Sequence, residues 1–157
     1  MTDPDFAGSM MALHTRLDAR FFAHQQALLD RDFPRAAAEL AAYRERLWRH
    51  VADEEAHVLP RYQALGGDAT DAPVRLFLGE HANLRRFVDE FVERTARLAH
   101  TPDDRALLEL LDREATFKNL LLHHDLRERN ALYPWLARRL SAEARRDVLA
   151  ALSWSGD

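Results

Sequence analysis

The 157-residue chain contains no cysteine. This absence excludes disulfides, zinc–thiolate sites, iron–sulfur clusters and thiol catalysis, so any bound metal must be held by His, Asp or Glu. Lysine is nearly absent too, since all but one of the 22 basic residues are arginine, and 26 acidic residues leave a net charge of -4. This balance lacks the basic footprint of a surface for nucleic acid or anionic membrane. We therefore expect neither partner.

Long apolar runs are also missing. The first 18 residues, MTDPDFAGSMMALHTRLD, carry acids early and match neither a signal peptide nor a membrane span. We therefore expect a cytoplasmic location. The length fits one domain of ordinary size, which we expect to span residues 1–157.

Glycine is scarce, with five residues, and no alternating β-branched segment is bounded by turn residues. The sequence therefore predicts an all-α protein. Asp or Thr next to Pro marks four helix starts, the first at Thr2-Asp3-Pro4. The predicted helices cover about 4–30, 34–64, 72–100 and 102–138, with a short C-terminal helix at about 141–152. We expect an up-down-up-down antiparallel four-helix bundle, its core at about 5–138, with that short fifth helix.

Each predicted long helix carries an apolar stripe with residues alternately three and four apart, the pattern that packs a bundle. His and Glu interrupt these stripes. In a helical hairpin, residues equidistant from the turn lie side by side, which predicts that His14 is level with His50 and His81 with His124. His24 falls about 15 Å further along the first helix.

The two hairpins repeat one motif, His50-xxx-Glu54 and His124-xxx-Glu128. Burying two uncompensated carboxylates costs several kcal/mol each, and a bound cation removes that cost. A donor set without sulfur suits iron, manganese or zinc. The predicted ligands are His14, His50, Glu54, His81, His124 and Glu128.

Three further histidines are weaker candidates. A single His on an apolar stripe, such as His24 or His57, is more often a hydrogen-bonded core or boundary residue than a ligand. His123 lies beside His124, about 100° around the helix, and the HxxxE register favours His124.

The motifs are His14, HVADEEAHVLP (50–60), EHANL (80–84) and HDLRERNALYP (124–134). Together they resemble the hemerythrin-like domains described as HHE cation-binding domains, over about Leu13 to Pro134. The resemblance implies a four-helix bundle around a non-haem di-iron centre with an oxo or hydroxo bridge. It also implies that the four histidines are terminal ligands and that Glu54 and Glu128 are bridges.

One departure concerns the third helix. Oxygen carriers of the family have HxxxH there, whereas Phe77 stands one turn before His81 in this chain. One iron is then a ligand short, and water, an exogenous molecule or His57 would fill the place. We favour a role for His57 as a polar cap over a role as replacement ligand.

The resemblance predicts binding of O₂, NO or peroxide, for sensing, storage or detoxification; Phe77 makes reversible oxygen carriage less favoured. Reduced iron supplies electrons to such molecules. The predicted walls that exclude water are apolar residues of the stripes: Leu17, Phe21, Leu47, Phe77, Leu84 and Leu121. We do not expect an enzyme beyond weak peroxidase or oxidase activity, and a redox or signalling partner would be a separate protein.

Two alternatives remain. A ferritin-like di-metal oxidase or peroxidase would need two Glu-xx-His motifs, and only Glu54 with His57 supplies one. A regulatory module with a structural metal is the other. Near the C-terminus, Leu149, Leu152 and Trp154 would then form a partner or homodimer surface, although capping the bundle end of a monomer is the favoured role.

Overall fold

A computed structural model describes residues 5–157, and the start signal at Thr2-Asp3-Pro4 lies outside them. The described residues form helices and connecting segments without a strand, which confirms the all-α prediction. The α-helices are α1 Phe6–Leu29, α2 Phe33–Asp53, α3 Leu59–Ala64, α4 Val74–His100, α5 Asp104–Arg127, α6 Tyr133–Arg139 and α7 Ala142–Ala151. No helix within residues 5–157 combines the length and apolar character needed to cross a membrane.

Side chains cap the N-termini of most of the long helices. The carboxylates of Asp5, Asp32 and Asp103 accept backbone N–H groups at the starts of α1, α2 and α5, and Ser141 does the same for α7. The predicted starts of α2, α4, α5 and α7 are correct to within two residues. The prolines at two of these starts lie outside the helix, since Pro73 is the cap residue before α4 and Pro102 precedes Asp103, the cap residue of α5.

The predicted helices 34–64 and 102–138 are each interrupted by a π-helical segment. The first π segment, Glu54–Val58, joins α2 to α3, and the second, Glu128–Leu132, joins α5 to α6. Pro60 and Pro134 follow these segments and have no N–H to give to the preceding turn. An α-helical ladder cannot pass a proline unbroken, and the wider π turn accommodates the lost bond.

The long helices pack as a bundle around one buried core. α1 packs on α2, α2 on α4, and α4 on α5. An aromatic cluster of Phe21, Tyr43, Phe91 and Phe117 fills the core away from the π segments, with ring centroids 5.1 Å apart for Phe21 and Tyr43. This packing leaves the polar stripe positions together at the level of the π segments.

α7 and the residues after it fold back onto α1 and the first π segment. Trp154 is buried, with 1% of its surface exposed. It therefore contributes to the chain's own core, as the capping interpretation expects, and not to an exposed partner surface.

Candidate metal centre

The six predicted ligands are all buried, with the histidines on α1, α2, α4 and α5 and the glutamates in the two π segments. Glu54 and Glu128 are the first residues of the two π segments, and each lies four residues after a histidine of the preceding helix. That spacing puts His50 with Glu54, and His124 with Glu128, on one helix face. Single π turns inside α-helices are frequent at functional sites.

The two facing histidine pairs expected from hairpin geometry are present. The ring centroids of His14 and His50 are 5.0 Å apart, as are those of His81 and His124. The Nε2 atoms of His14 and His50 are separated by 3.2 Å. Counting from the predicted turns therefore placed these imidazoles at the correct level.

The carboxylates lie between the histidine pairs. Glu128 Oε1 is 3.2 Å from His14 Nε2 and 3.1 Å from His124 Nε2. Glu54 Oε1 contacts His50 Nε2, and Glu54 Oε2 is 3.8 Å from His81 Nε2. Both carboxylates thus face histidines of both pairs.

Two groups of donors have ligand atoms within 4.8 Å of one another: His14, His50, Glu54 and Glu128 in one, and His81, His124 and Glu128 in the other. Glu128 belongs to both groups. Two neighbouring cations sharing one carboxylate would fit this arrangement. Imidazole and carboxylate together suit iron, zinc or manganese.

Several buried polar atoms of this layer have no hydrogen-bond partner. They are His14 Nδ1, His50 Nδ1, His81 Nε2, Glu54 Oε2 and both carboxylate oxygens of Glu128. Of these, His14 Nδ1 lies close to Asp125, and Glu128 Oε1 lies close to His14 and His124, but these contacts lack the geometry of a hydrogen bond. Buried polar groups are otherwise almost always paired, because an unsatisfied one costs about 1–3 kcal/mol and a charged one more. Two bound cations, one in each donor group, would satisfy the Glu54, Glu128 and His81 atoms, so the residues present fit a metal.

An outer layer of carboxylates orients three of the four histidines. His14 Nδ1 lies 2.9 Å from Asp125, His81 Nδ1 lies 3.0 Å from Glu55, and His124 Nδ1 lies 3.2 Å from Glu80. A carboxylate accepts the Nδ1 proton and leaves the Nε2 lone pair available, which is the usual support of a metal-bound histidine.

Sequence reasoning missed this outer layer, although Glu55 and Glu80 stand inside the quoted motifs and Asp125 follows His124. His50 differs from the other three, because no carboxylate among the described residues lies against its Nδ1, which has no hydrogen-bond partner.

Tyr133 is a further residue that the sequence reasoning missed. Its hydroxyl donates a hydrogen bond to Glu54 Oε1 at 2.9 Å and lies 3.0 Å from His14 Nε2. Burial, together with Glu128 and Glu54, raises the pKa of Tyr133 well above its usual range. The phenol therefore stays protonated and available as a donor. The signal was the Tyr-Pro pair closing the fourth motif.

The electrostatics of the layer favour positive charge. Burial lowers the pKa of His14, but the carboxylates of Asp125 and Glu128 outweigh it and raise that pKa to about 10. Burial opposes ionisation of Glu128, but His124, Glu54 and His14 outweigh it and hold its pKa well below the usual value. The carboxylates thus attract either protons or a cation to this place.

The weaker candidates lie outside both donor groups. His57 is half-buried and His123 is exposed. His24 is buried, but its Nδ1 bonds the carbonyl of Ala36 at 2.8 Å and its Nε2 lies 3.0 Å from Glu114. Phe77 is fully buried and packs edge-on against Tyr62, with ring centroids 6.0 Å apart.

A small cavity adjoins the centre, with a volume of about 10 Å³, roughly the room of one water molecule. Four of the predicted apolar walls line it: Leu17, Leu47, Leu84 and Leu121. Phe21 and Phe77, the other two predicted walls, are buried but do not line this cavity.

A comparison with protein families supports a metal centre. The family model described as "Hemerythrin HHE cation binding domain" matches residues 6–136, a range that holds all six candidate ligands. Comparisons with curated proteins and with solved structures gave no significant match. The family implies a metal cation, and the buried His/Glu cluster offers a site for it. This chain belongs to the hemerythrin HHE cation-binding domain family.

Proposed function

We propose that this chain is a non-haem di-iron protein that binds a small oxidant or diatomic ligand, namely O₂, NO or peroxide. The observation that carries the proposal is the pair of buried donor groups sharing Glu128. Membership of the HHE family supports it independently. The expected roles are sensing, storage or detoxification.

The residues divide between two iron positions. His14 and His50 would hold one iron, His81 and His124 the other, with Glu54 and Glu128 between them. The iron, when reduced, supplies electrons to the bound small molecule. The chain supplies the rest: leucine walls exclude bulk water, and the Tyr133 hydroxyl holds a proton next to Glu54.

The size of the adjoining cavity limits the ligand. A volume of about 10 Å³ admits a molecule of two or three atoms and excludes organic substrates without rearrangement. Phe77 puts a ring where oxygen carriers of the family have a further histidine, which leaves one iron with an open position. We therefore favour reaction with the ligand, as in sensing or detoxification, over reversible carriage.

The proposal includes an up-down-up-down arrangement of the four long helices. Contacts across each pair support it, because residue numbers on one helix rise as those on the other fall. In α1 and α2, His14 meets His50 and His24 meets Ala36. In α4 and α5, Glu80 meets His124 and Glu90 meets Arg113.

Metal content and colour test the proposal directly. Protein purified aerobically from iron-replete cells should contain about two irons per chain and show the visible absorption of an oxo-bridged pair. A colourless protein with zinc, or with no metal, would overturn the di-iron assignment, and the zinc outcome would favour the module with a structural metal.

The fate of the ligand separates the roles. The reduced protein should be mixed with O₂ and the adduct followed by absorption. We expect rapid oxidation, with peroxide released or consumed. A lasting, reversible adduct would instead mean that the protein is a carrier despite Phe77.

A further inference from the structure

The C-terminal strap, residues 152–157, follows α7 and lies beyond the range matched by the family model. It nevertheless reaches the candidate metal centre. The indole of Trp154 meets the imidazole of His50 edge-on, with centroids 6.3 Å apart and an interplanar angle of 80°. Both side chains are buried.

Hydrogen bonds hold the strap in this position. Asp53, the buried last residue of α2, accepts the backbone N–H of Ser153 at 2.9 Å and that of Trp154 at 3.1 Å. Arg46 Nε donates a hydrogen bond to the main-chain oxygen of Asp157 at 3.1 Å. Bonds to a buried carboxylate are among the stronger ones in proteins. The strap is therefore fastened directly beside Glu54, a candidate ligand.

His50 is the histidine that needs another means of orientation. Each of the other three candidate histidines has a carboxylate oxygen within 3.2 Å of its Nδ1, whereas His50 Nδ1 has no hydrogen-bond partner and no carboxylate contact among the described residues. A metal-bound imidazole without such a partner is free to rotate about its side-chain bonds unless packing prevents it. Two rings pack edge-on against it: that of His14, which is itself a candidate ligand, and that of Trp154, which is not.

We propose that Trp154 is a positioning residue for His50: the strap holds by packing the one candidate ligand that no carboxylate orients. The inference rests on the proposed function only in that the six residues bind a metal. Its consequence is that residues outside the family match control how firmly this centre retains its metal on the His50 side.

The test uses Co²⁺ as the probe, because its visible absorption reports the geometry of its ligands. The full-length protein is loaded with Co²⁺, and release to excess EDTA is followed by the loss of absorbance. Trp154→Ala should release Co²⁺ faster by about 10- to 100-fold, the usual effect of losing an outer support, and should shift the absorption bands. Trp154→Phe keeps a ring against His50 and should restore most of both properties.

The matched control is Trp48→Ala. Trp48 lies on the same helix two residues before His50, but Arg44 and Arg85 cover its ring. Its removal should leave the bands and the release rate unchanged. Any general loss of helix packing would show in both variants, whereas a loss of His50 positioning appears in Trp154→Ala alone.

Asp53→Asn provides a second route that leaves the indole intact. An amide oxygen cannot replace both oxygens of a carboxylate that accepts two N–H groups, so the strap should loosen and release should quicken. This variant and Trp154→Phe decide the matter if Trp154→Ala does not fold.

Two failures are distinguishable. A wild-type protein that binds no Co²⁺ would overturn the metal centre itself. Normal binding, with release and absorption bands in Trp154→Ala equal to those of Trp48→Ala, would overturn the role of the strap alone.

Discussion

The molecule buries histidine next to carboxylate in two places, and only one of them is a candidate metal centre. The first place is the centre itself. The second is the distal pair, His24 and Glu114, on the same helices α1 and α5, with both side chains fully buried. Burial and residue type are therefore equal in the two places. The difference lies in how many polar atoms each place leaves unsatisfied.

In the distal pair every polar atom has a partner. His24 bonds Ala36 and Glu114, and the second oxygen of Glu114 accepts the amide of Gln25 at 3.2 Å. In the centre, His81 Nε2 and Glu128 Oε2 have none, and Glu128 Oε1 lies 3.2 Å from His14 Nε2 and 3.1 Å from His124 Nε2 without the geometry of a hydrogen bond. A site whose buried polar atoms are all hydrogen-bonded needs no metal. A site with unpaired buried ligand atoms, whose histidines are supported by further carboxylates, fits a bound metal.

The largest effect is expected from changing the carboxylate shared by both donor groups. Glu128→Ala should reduce the metal content from about two ions per chain to nearly none, because both groups lose a ligand. Glu114→Ala is the matched control, since it removes a buried glutamate from the same helix and should keep both metals. Metal analysis of the two purified variants decides between them. Loss of metal from Glu114→Ala alone would reverse the assignment.

The second prediction compares single histidines. His14→Ala should lose metal. His24→Ala should keep its metal but unfold more easily by about 3–5 kcal/mol, because Glu114 is left buried without its partner. Denaturant unfolding, with metal analysis of the same samples, measures both quantities.

The double variant His24→Leu with Glu114→Leu sharpens this point. Replacing a buried pair by apolar residues is often neutral or stabilising. The double variant should therefore recover most of the stability lost in His24→Ala, with the metal still bound. A double variant as unstable as His24→Ala would show that the distal pair stabilises the fold by more than pairing its own buried polar atoms.

The third prediction concerns pH. The pKa of His14 is raised from 6.5 to about 10, so the folded, metal-free protein carries this proton below about pH 10. A metal needs the neutral imidazole, so binding must release the proton. Affinity should rise by about tenfold per pH unit for each proton released as the pH approaches about 10, and it should level off above that value. Metal titrations in weak buffer with a pH indicator should detect the release, and uptake without proton release would contradict it.

The sequence predicted what depends on local or hairpin geometry. Helix starts followed from caps and prolines, since capping involves residues three apart. The His14–His50 and His81–His124 pairs followed from counting back from a turn. The prediction missed the π segments because it treated Pro60 and Pro134 as ordinary positions within the helices 34–64 and 102–138.

Contacts between helices not joined by a short turn could not be predicted in this way. Counting from the first turn places His24 level with Leu40, one helical turn from Ala36, whose carbonyl it contacts. The same counting says nothing of its other partner, Glu114, which lies on α5, 90 residues along the chain. The bond from Tyr133 to Glu54 and the contact of Trp154 with His50 have the same character. No periodicity encodes them, because they depend on the packing of the whole bundle.

The smallest effects are expected from the two remaining histidines near the centre. His57→Ala and His123→Ala should leave the metal content unchanged and shift stability by no more than about 0.5 kcal/mol, as surface substitutions usually do. His57 is half-buried, and His123 is exposed beside a buried ligand candidate. Neither has a ring nitrogen in the two donor groups. Loss of one metal from His57→Ala would contradict this and place its imidazole in the position that Phe77 leaves open. Unsatisfied buried atoms would then be an incomplete guide to the ligands, because a half-buried side chain would have to swing inwards when the metal binds.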